Sequence, residues 1–69
     1  MDKPHTRLEE LTARLRERGY RLTPQRLEVL KVLATSDGHP GVERIYQRVK
    51  AVFPMTSLAT VYKTLALLK

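Results

Sequence analysis

The chain has 69 residues, no cysteine and a formal net charge of +6 at neutral pH. A chain of this length forms at most one domain and has little room for a deep substrate cavity. The lack of cysteine excludes disulfides and thiolate metal sites. No apolar run approaches the ~20 residues of a membrane span. We therefore expect a soluble, cytoplasmic protein without a membrane partner.

The positive charge is unevenly distributed along the chain. Five basic residues and no acidic residue lie between Arg44 and Lys69, whereas all seven acidic residues lie between Asp2 and Glu43. An excess of positive charge favours polyanions as partners, nucleic acid first. The charge alone also fits an ordinary solvated surface.

The first predicted helix spans about residues 6–18. Thr6 and Glu9 have the spacing of a capping box at its start, and Gly19 is a natural stop after it. One stripe of this helix is apolar, formed by Leu8, Leu11 and Leu15.

The second predicted helix spans about 24–35, with Thr23 as N-cap and Pro24 as its first residue. It is apolar around most of its circumference, which is typical of a central helix. The third spans about 41–52 and is apolar on one side only. Phe53 ends it, because the following proline disfavours the helical conformation at that residue.

The fourth predicted helix spans about 58–69, with Ser57 as N-cap. Helical spacing gives it an apolar stripe of Leu58, Val61, Leu65 and Leu68. The opposite side carries Ala59, Thr60, Lys63, Ala66 and Leu67. Tyr62 lies at the boundary between these two sides. Leu67 is large and apolar for an outer position, and we expect further chain to pack on it.

The third and fourth helices, joined by a short turn, fit a helix-turn-helix, whose second helix enters the major groove of DNA. Ala59 and Thr60 are small enough for close approach and can touch a thymine methyl group. Lys63 can reach a guanine edge or a phosphate. The Ser57 hydroxyl and the N-terminus of the helix can bind a phosphate.

An alternative function is a small basic helical protein-interaction module without specific DNA readout. In that case the outer side of the fourth helix simply faces water. An enzyme is not expected, because the chain has no cysteine, no paired-carboxylate motif, no glycine-rich phosphate loop and only two histidines, far apart.

Three segments together carry a resemblance to a known family. "GYRLTPQRLEVLKVL", "GHPGVERIYQRVKAVFP" and "TSLATVYKTLALLK" resemble the N-terminal DNA-binding domain of the ferric uptake regulator family, which are bacterial metal- or peroxide-responsive repressors. The resemblance covers about residues 19–69. It implies an all-α chain as present: four helices of a truncated winged helix-turn-helix domain spanning 1–69, with the wing hairpin missing after Lys69.

The resemblance also implies a mode of DNA binding, to an AT-rich inverted repeat. Tyr62 would pack on thymine bases. Lys63 stands where the family usually has Arg, and it lacks the bidentate fork of Arg, so we expect weaker guanine discrimination or a phosphate role. Arg21 would enter the neighbouring minor groove, whose negative potential is enhanced where it is narrow. Arg26 would contact a phosphate.

His39 matches a histidine that often ligates the regulatory metal in this family. One histidine cannot form a metal site, so we expect no cofactor bound by these 69 residues. The full-length protein would bind Fe, Mn or Zn. It would also have its own dimerisation domain and form a homodimer. Without the wing and that domain, we expect weak DNA binding of low specificity.

Overall fold

A computed structural model of the chain describes residues 4–36 and 40–68. It contains four helices, α1 (Pro4–Glu17), α2 (Pro24–Thr35), α3 (Val42–Val52) and α4 (Leu58–Leu67). The described residues form no strand, so the predicted all-α fold class is confirmed. None of the described helices is long and apolar enough to cross a membrane.

Helix α1 begins earlier than its sequence predicts and ends in a defined cap. Its first residue is Pro4, so Thr6 lies inside the helix and is not its N-cap; proline suits a first helical position because it needs no N–H partner there. At the other end, Gly19 has φ +80°. The N–H groups of Gly19 and Tyr20 donate to the carbonyls of Arg16 and Leu15, both at 2.9 Å. This pair of bonds is a Schellman motif.

Helix α2 is the centre of the fold, because it contacts each of the other three helices. Thr23 is its N-cap, as predicted, with Oγ1 accepting from the N–H of Arg26 at 3.2 Å. Its buried side chains, which point in several directions around the helix axis, are Val29, Leu30, Val32 and Ala34.

Helices α3 and α4 pack against α2 and against each other. The shared core consists of Val29, Val32, Ile45, Val49 and Val61. Two apolar residues that the sequence assigned to the buried sides are exposed: Val52 by 56% and Leu58 by 39%. They are the last residue of α3 and the first of α4, so they flank the turn rather than the core.

A hydrogen bond connects the C-terminal ends of α1 and α4. Arg18 Nη1 donates to the carbonyl oxygen of Leu67 at 2.7 Å. A cation at the C-terminal end of a helix stabilises its dipole and binds a carbonyl that has no partner within the helix. The spacing of Leu67 predicted an outer position. In the structure this residue is half-buried.

Two buried threonines differ in how their hydroxyl groups are satisfied. Thr64, in α4, is fully buried, and its Oγ1 donates to the carbonyl of Thr60 at 2.8 Å. Thr56 is 3% exposed and lies in the turn before α4. Its N–H donates to the carbonyl of Phe53 at 2.9 Å, but its Oγ1 has no hydrogen-bond partner among the described residues.

We predict that Thr56→Val stabilises the fold. Valine has nearly the shape of threonine and removes a buried hydroxyl whose burial is uncompensated, so the free energy of unfolding should rise by about 1 kcal/mol. Urea denaturation followed by circular dichroism measures this difference.

Thr64→Val is the matched control, since it removes a buried hydroxyl that does have a partner. Its effect should stay within about 0.5 kcal/mol, because the lost bond only supplements the helical hydrogen bonds of α4. A loss of stability in Thr56→Val would contradict the prediction and would mean that the Thr56 hydroxyl is satisfied in solution.

Candidate nucleic-acid interface

One face of α4 is exposed to solvent. Ala59, Tyr62, Lys63 and Ala66 are all exposed, and their spacing of three and four residues puts them side by side on one face of a helix. We call these four residues the exposed face of α4. The opposite side carries Val61 and Thr64, both fully buried.

The structure assigns two residues differently from the sequence pattern. Tyr62, predicted at the boundary, lies on the exposed face with 56% of its surface accessible. Thr60, predicted on the outer side, is half-buried. The reason is the position of Thr64. When Thr64 takes a fully buried place, the buried side of the helix shifts towards Thr60 and away from Tyr62.

The N-terminus of α4 is capped by a pair of hydroxyl groups. Ser57 is the N-cap, as predicted, and its Oγ accepts from the N–H of Thr60 at 3.2 Å. The two hydroxyl oxygens, Ser57 Oγ and Thr60 Oγ1, lie 3.0 Å apart, and either can be the donor. The pair uses one of its two hydroxyl protons, so the other can be donated to an outside acceptor. No acidic residue occupies the first turn, which leaves the positive end of the dipole uncompensated.

Arg21 and Arg26 form a second group, at the N-terminus of α2. Arg21 is exposed and Arg26 is half-buried. The Nη1 of Arg26 donates to the carbonyl oxygen of Arg21 at 2.8 Å. The structure thus brings these two predicted residues together through the backbone of one and the guanidinium of the other.

No hydrogen bond among the described residues joins this group to α4, but the chain that leads to Arg21 is attached to one end of α4 through Arg18. Arg18 binds the Leu67 carbonyl at the C-terminal end of α4, and Arg21 follows three residues later. Three residues span at most about 11 Å. The Arg21 segment therefore starts beside one end of α4, whereas Ser57 marks the other, about 15 Å away along a helix of this length.

Helix α3 carries further basic residues. Arg44, Arg48 and Lys50 are exposed. Lys50 Nζ lies 5.4 Å from the centroid of the Tyr46 ring, a distance at which a cation is attracted to the face of an aromatic ring.

An open depression of about 400 Å³ lies between α2 and α3. It is lined by Glu28, Lys31, Val32, Thr35, Arg48 and Ala51. The Thr35 hydroxyl donates to the carbonyl of Lys31 at 2.9 Å, so it faces its own helix rather than a base that could activate it. Nothing in this lining resembles a nucleophile paired with a general base.

The predicted metal ligand, His39, lies outside the described residues. Within 4–36 and 40–68, no three His, Asp or Glu side chains lie together in a way that could hold a metal ion. The described residues therefore do not fit a complete metal site by themselves.

Sequence reasoning missed three features of this region. Ala66 was placed on the outer side but not among the binding residues, although it lies one turn after Tyr62 and Lys63. Thr64 was not assigned to the buried side, although it follows Val61 by three residues. The contact of Arg18 with Leu67 joins residues 49 apart and has no local signature.

Comparison with known proteins agrees with this architecture. The sequence profile of the ferric uptake regulator family matches residues 17–69. The peroxide-responsive repressor PerR of three Staphylococcus aureus strains, USA300, COL and MW2, is 45% identical to the chain over 62 residues in each case. The match covers 90% of this chain.

The chain spans 42% of the length of these relatives. No solved structure matches it. The family match covers three quarters of the chain in the region that contains α2, α3 and α4, and the relatives extend the similarity to most of the rest. The chain therefore belongs to the ferric uptake regulator family.

Proposed function

We propose that this chain is the DNA-reading part of a metal-dependent or peroxide-sensing transcriptional repressor, and that it has no catalytic role. The observation that supports this best is the exposed face of α4. A helix that is buried on one side by Val61 and Thr64 presents small, aromatic and basic residues on the other. The relatives named above are repressors by name, and the family is one of regulators.

The shape of this face suits the major groove. An α-helix with its side chains is about 10–12 Å across, and the groove is about 12 Å wide, so bulky outward residues would hold the helix away from the bases. Ala59 and Ala66 are small and exposed. They would let the backbone of α4 come close to the base edges, and their methyl groups would touch thymine methyls.

Tyr62 and Lys63 would supply the specific contacts. Tyr62 would lay its ring against thymine methyl groups, which favours an AT-rich site. Lys63 would contact a guanine edge or a phosphate as a single point of charge, since an ammonium cannot form the two parallel bonds of a guanidinium.

The remaining predicted residues would fix the position of the helix on the backbone. The Ser57 and Thr60 hydroxyl pair has one proton to donate to a phosphate, at a helix end that favours anions. Arg26 would contact another phosphate, and Arg21 would enter the adjacent minor groove, as the family resemblance implies.

In the longer protein, the site would be an AT-rich inverted repeat. An inverted repeat is read by a symmetric dimer with one α4 in each half-site, so we propose a homodimer held by a separate dimerisation domain. A repressor of bacterial genes would act in the cytoplasm.

A second candidate function, a protein-interaction module, is favoured by the turn between α3 and α4. Met55 is 91% exposed and Val52 is 56% exposed. Exposed apolar residues near each other suit contact with another protein. Binding to a protein through this turn would leave the exposed face of α4 without a role, so tests on α4 separate the two functions.

The DNA-binding proposal predicts separate effects for two substitutions on α4. Tyr62→Ala should weaken binding to an AT-rich duplex by about tenfold, because a good base contact contributes about 1–3 kcal/mol. Tyr62→Phe, which keeps the ring, should retain most of the affinity. Lys63→Ala should lower the slope of log affinity against log salt by about one. Fluorescence anisotropy at about 50 mM salt and above measures both effects.

Lys31→Ala is the matched control, because Lys31 is an exposed lysine on α2. It removes the same charge away from α4 and should leave the salt slope nearly unchanged. Two results together would contradict the assignment of α4 as the DNA-reading helix. In the first, Lys31→Ala and Lys63→Ala change the salt slope equally; in the second, Tyr62→Ala leaves the affinity for DNA unaltered. That outcome would favour the protein-interaction function.

We further propose that His39 contributes one ligand to a regulatory Fe, Mn or Zn site in the longer protein. Imidazole nitrogen suits all three metals. The other ligands would come from the part of the relatives that this chain does not span. The described residues provide no cluster that would complete the site.

The 69-residue chain alone should therefore bind metal weakly. Titration with Co²⁺, followed by its visible absorption, should show no tight tetrahedral site, because a structural or regulatory site needs three or four protein ligands. A tight site that is lost in His39→Ala would show that these residues suffice, and would contradict the proposal.

A further inference from the structure

Arg21 lies in the short segment between α1 and α2, and the backbone of this segment determines the direction of its side chain. Its first end is fixed at the Schellman motif, where the N–H of Tyr20 donates to the carbonyl of Leu15 at 2.9 Å. Its last end is fixed at Thr23, the N-cap of α2. Between these two points Arg21 is exposed, and an exposed arginine in a short loop loses much conformational freedom when it binds.

Arg26 binds this segment at two points. Its backbone N–H donates to Thr23 Oγ1 at 3.2 Å, and its guanidinium Nη1 donates to the carbonyl oxygen of Arg21 at 2.8 Å. A hydrogen bond from a charged donor is stronger than one between neutral groups. Because Arg26 itself lies in the first turn of α2, the segment is tied to a helix rather than to another loop.

A bond to the Arg21 carbonyl has a specific consequence for the Arg21 side chain. A hydrogen bond to this carbonyl restricts the orientation of the following peptide plane and thereby narrows the range of the ψ angle of Arg21. The bonds at Tyr20 and Thr23 restrict the backbone on both sides. Together they restrict the direction in which the Cα–Cβ bond of Arg21 leaves the surface.

This contact is compatible with a phosphate contact by the same residue. A guanidinium has five N–H donors, and the bond to Arg21 uses one of them. Arg26 is half-buried, so part of the guanidinium is accessible. The two roles nevertheless predict different behaviour, because a phosphate contact carries no sequence information.

We propose that Arg26 is a positioning residue that orders the 20–23 segment and thereby directs Arg21 towards DNA. The proposal rests on the DNA-binding function proposed above. Arg26 acts on sequence preference through Arg21, since Arg21 is the group that would read the narrow minor groove of AT-rich DNA.

The first test uses the 69-residue chain without DNA. Amide ¹⁵N relaxation measures the order of the backbone on the ps–ns timescale. In Arg26→Met, which keeps an apolar stem but removes the charge and the donors, the order parameters of Arg21 and Leu22 should fall. The order parameters of α2 should stay as in the unaltered chain. Unchanged values at Arg21 and Leu22 would overturn the proposal.

The second test is a double-mutant cycle on DNA preference. The measured quantity is the ratio of affinities for an AT-rich and a GC-rich duplex of equal length, for the unaltered chain, Arg21→Ala, Arg26→Met and the double variant. The ratio for the unaltered chain should be modest, since its specificity is expected to be low, and Arg21→Ala and Arg26→Met should each lower it by about twofold to threefold, close to one. The double variant should lower it no further than Arg21→Ala, because Arg26 acts through Arg21.

Arg14→Met is the control for loss of one positive charge, since Arg14 is exposed on α1; the ratio should not change. Uniform weakening of both duplexes by Arg26→Met, with the ratio preserved, would mean that Arg26 is only a phosphate contact and would overturn the proposal. A third outcome separates this proposal from the proposed function. If the unaltered chain did not bind DNA, but Arg26→Met still lowered the order parameters of Arg21 and Leu22, the proposed function would fail. Arg26 would then order the Arg21 segment without a role in recognition, and this part of the proposal would be overturned too.

Discussion

The structure depends on the packing of α2 against the other three helices. This helix contacts α1, α3 and α4, and its valine and leucine side chains fill the centre of the fold. A chain of 69 residues can bury only about 60% of its unfolded surface, so it has one core and little apolar area to spare. Every other helix is placed by the side it turns towards α2.

That constraint determines which surface of α4 is free. The helix turns Val61 and Thr64 inwards, which leaves Ala59, Tyr62 and Lys63 outside. Two arginines make hydrogen bonds to backbone carbonyls near this surface. Arg18 holds the end of α4, and Arg26 holds the segment that carries Arg21. The proposed DNA contacts therefore lie on a rigid helix and on a loop that is tied to a second helix, rather than on free loops.

The sequence predicted the features that follow from local chemistry. The N-caps Thr23 and Ser57 and the stop at Gly19 were correct, because each depends on a few neighbouring residues. The central position of α2 was also predictable from its apolar circumference. The errors at Val52 and Leu58 arose because helical spacing gives the side of a residue but not whether the core extends to the end of the helix.

The features that could not be predicted depend on the three-dimensional path of the chain. Thr64 was assigned to neither side of α4, because hydropathy does not place a threonine in a core; its burial is possible because its own helix satisfies the hydroxyl. The bond from Arg26 to the Arg21 carbonyl requires a side chain on one element to reach the backbone before it, and no spacing rule indicates that. The DNA-contact residues Arg21, Arg26 and Tyr62 were named from the family resemblance, and their roles stay predictions.

The central claim is that the exposed face of α4 contacts DNA. The most direct measurement is an NMR titration of the ¹⁵N-labelled chain with an AT-rich duplex. The account predicts that the largest shifts occur at amides 57–63 and 20–26, with small changes on the outer side of α1. Shifts concentrated around Val52 and Met55, with α4 unaffected, would contradict it.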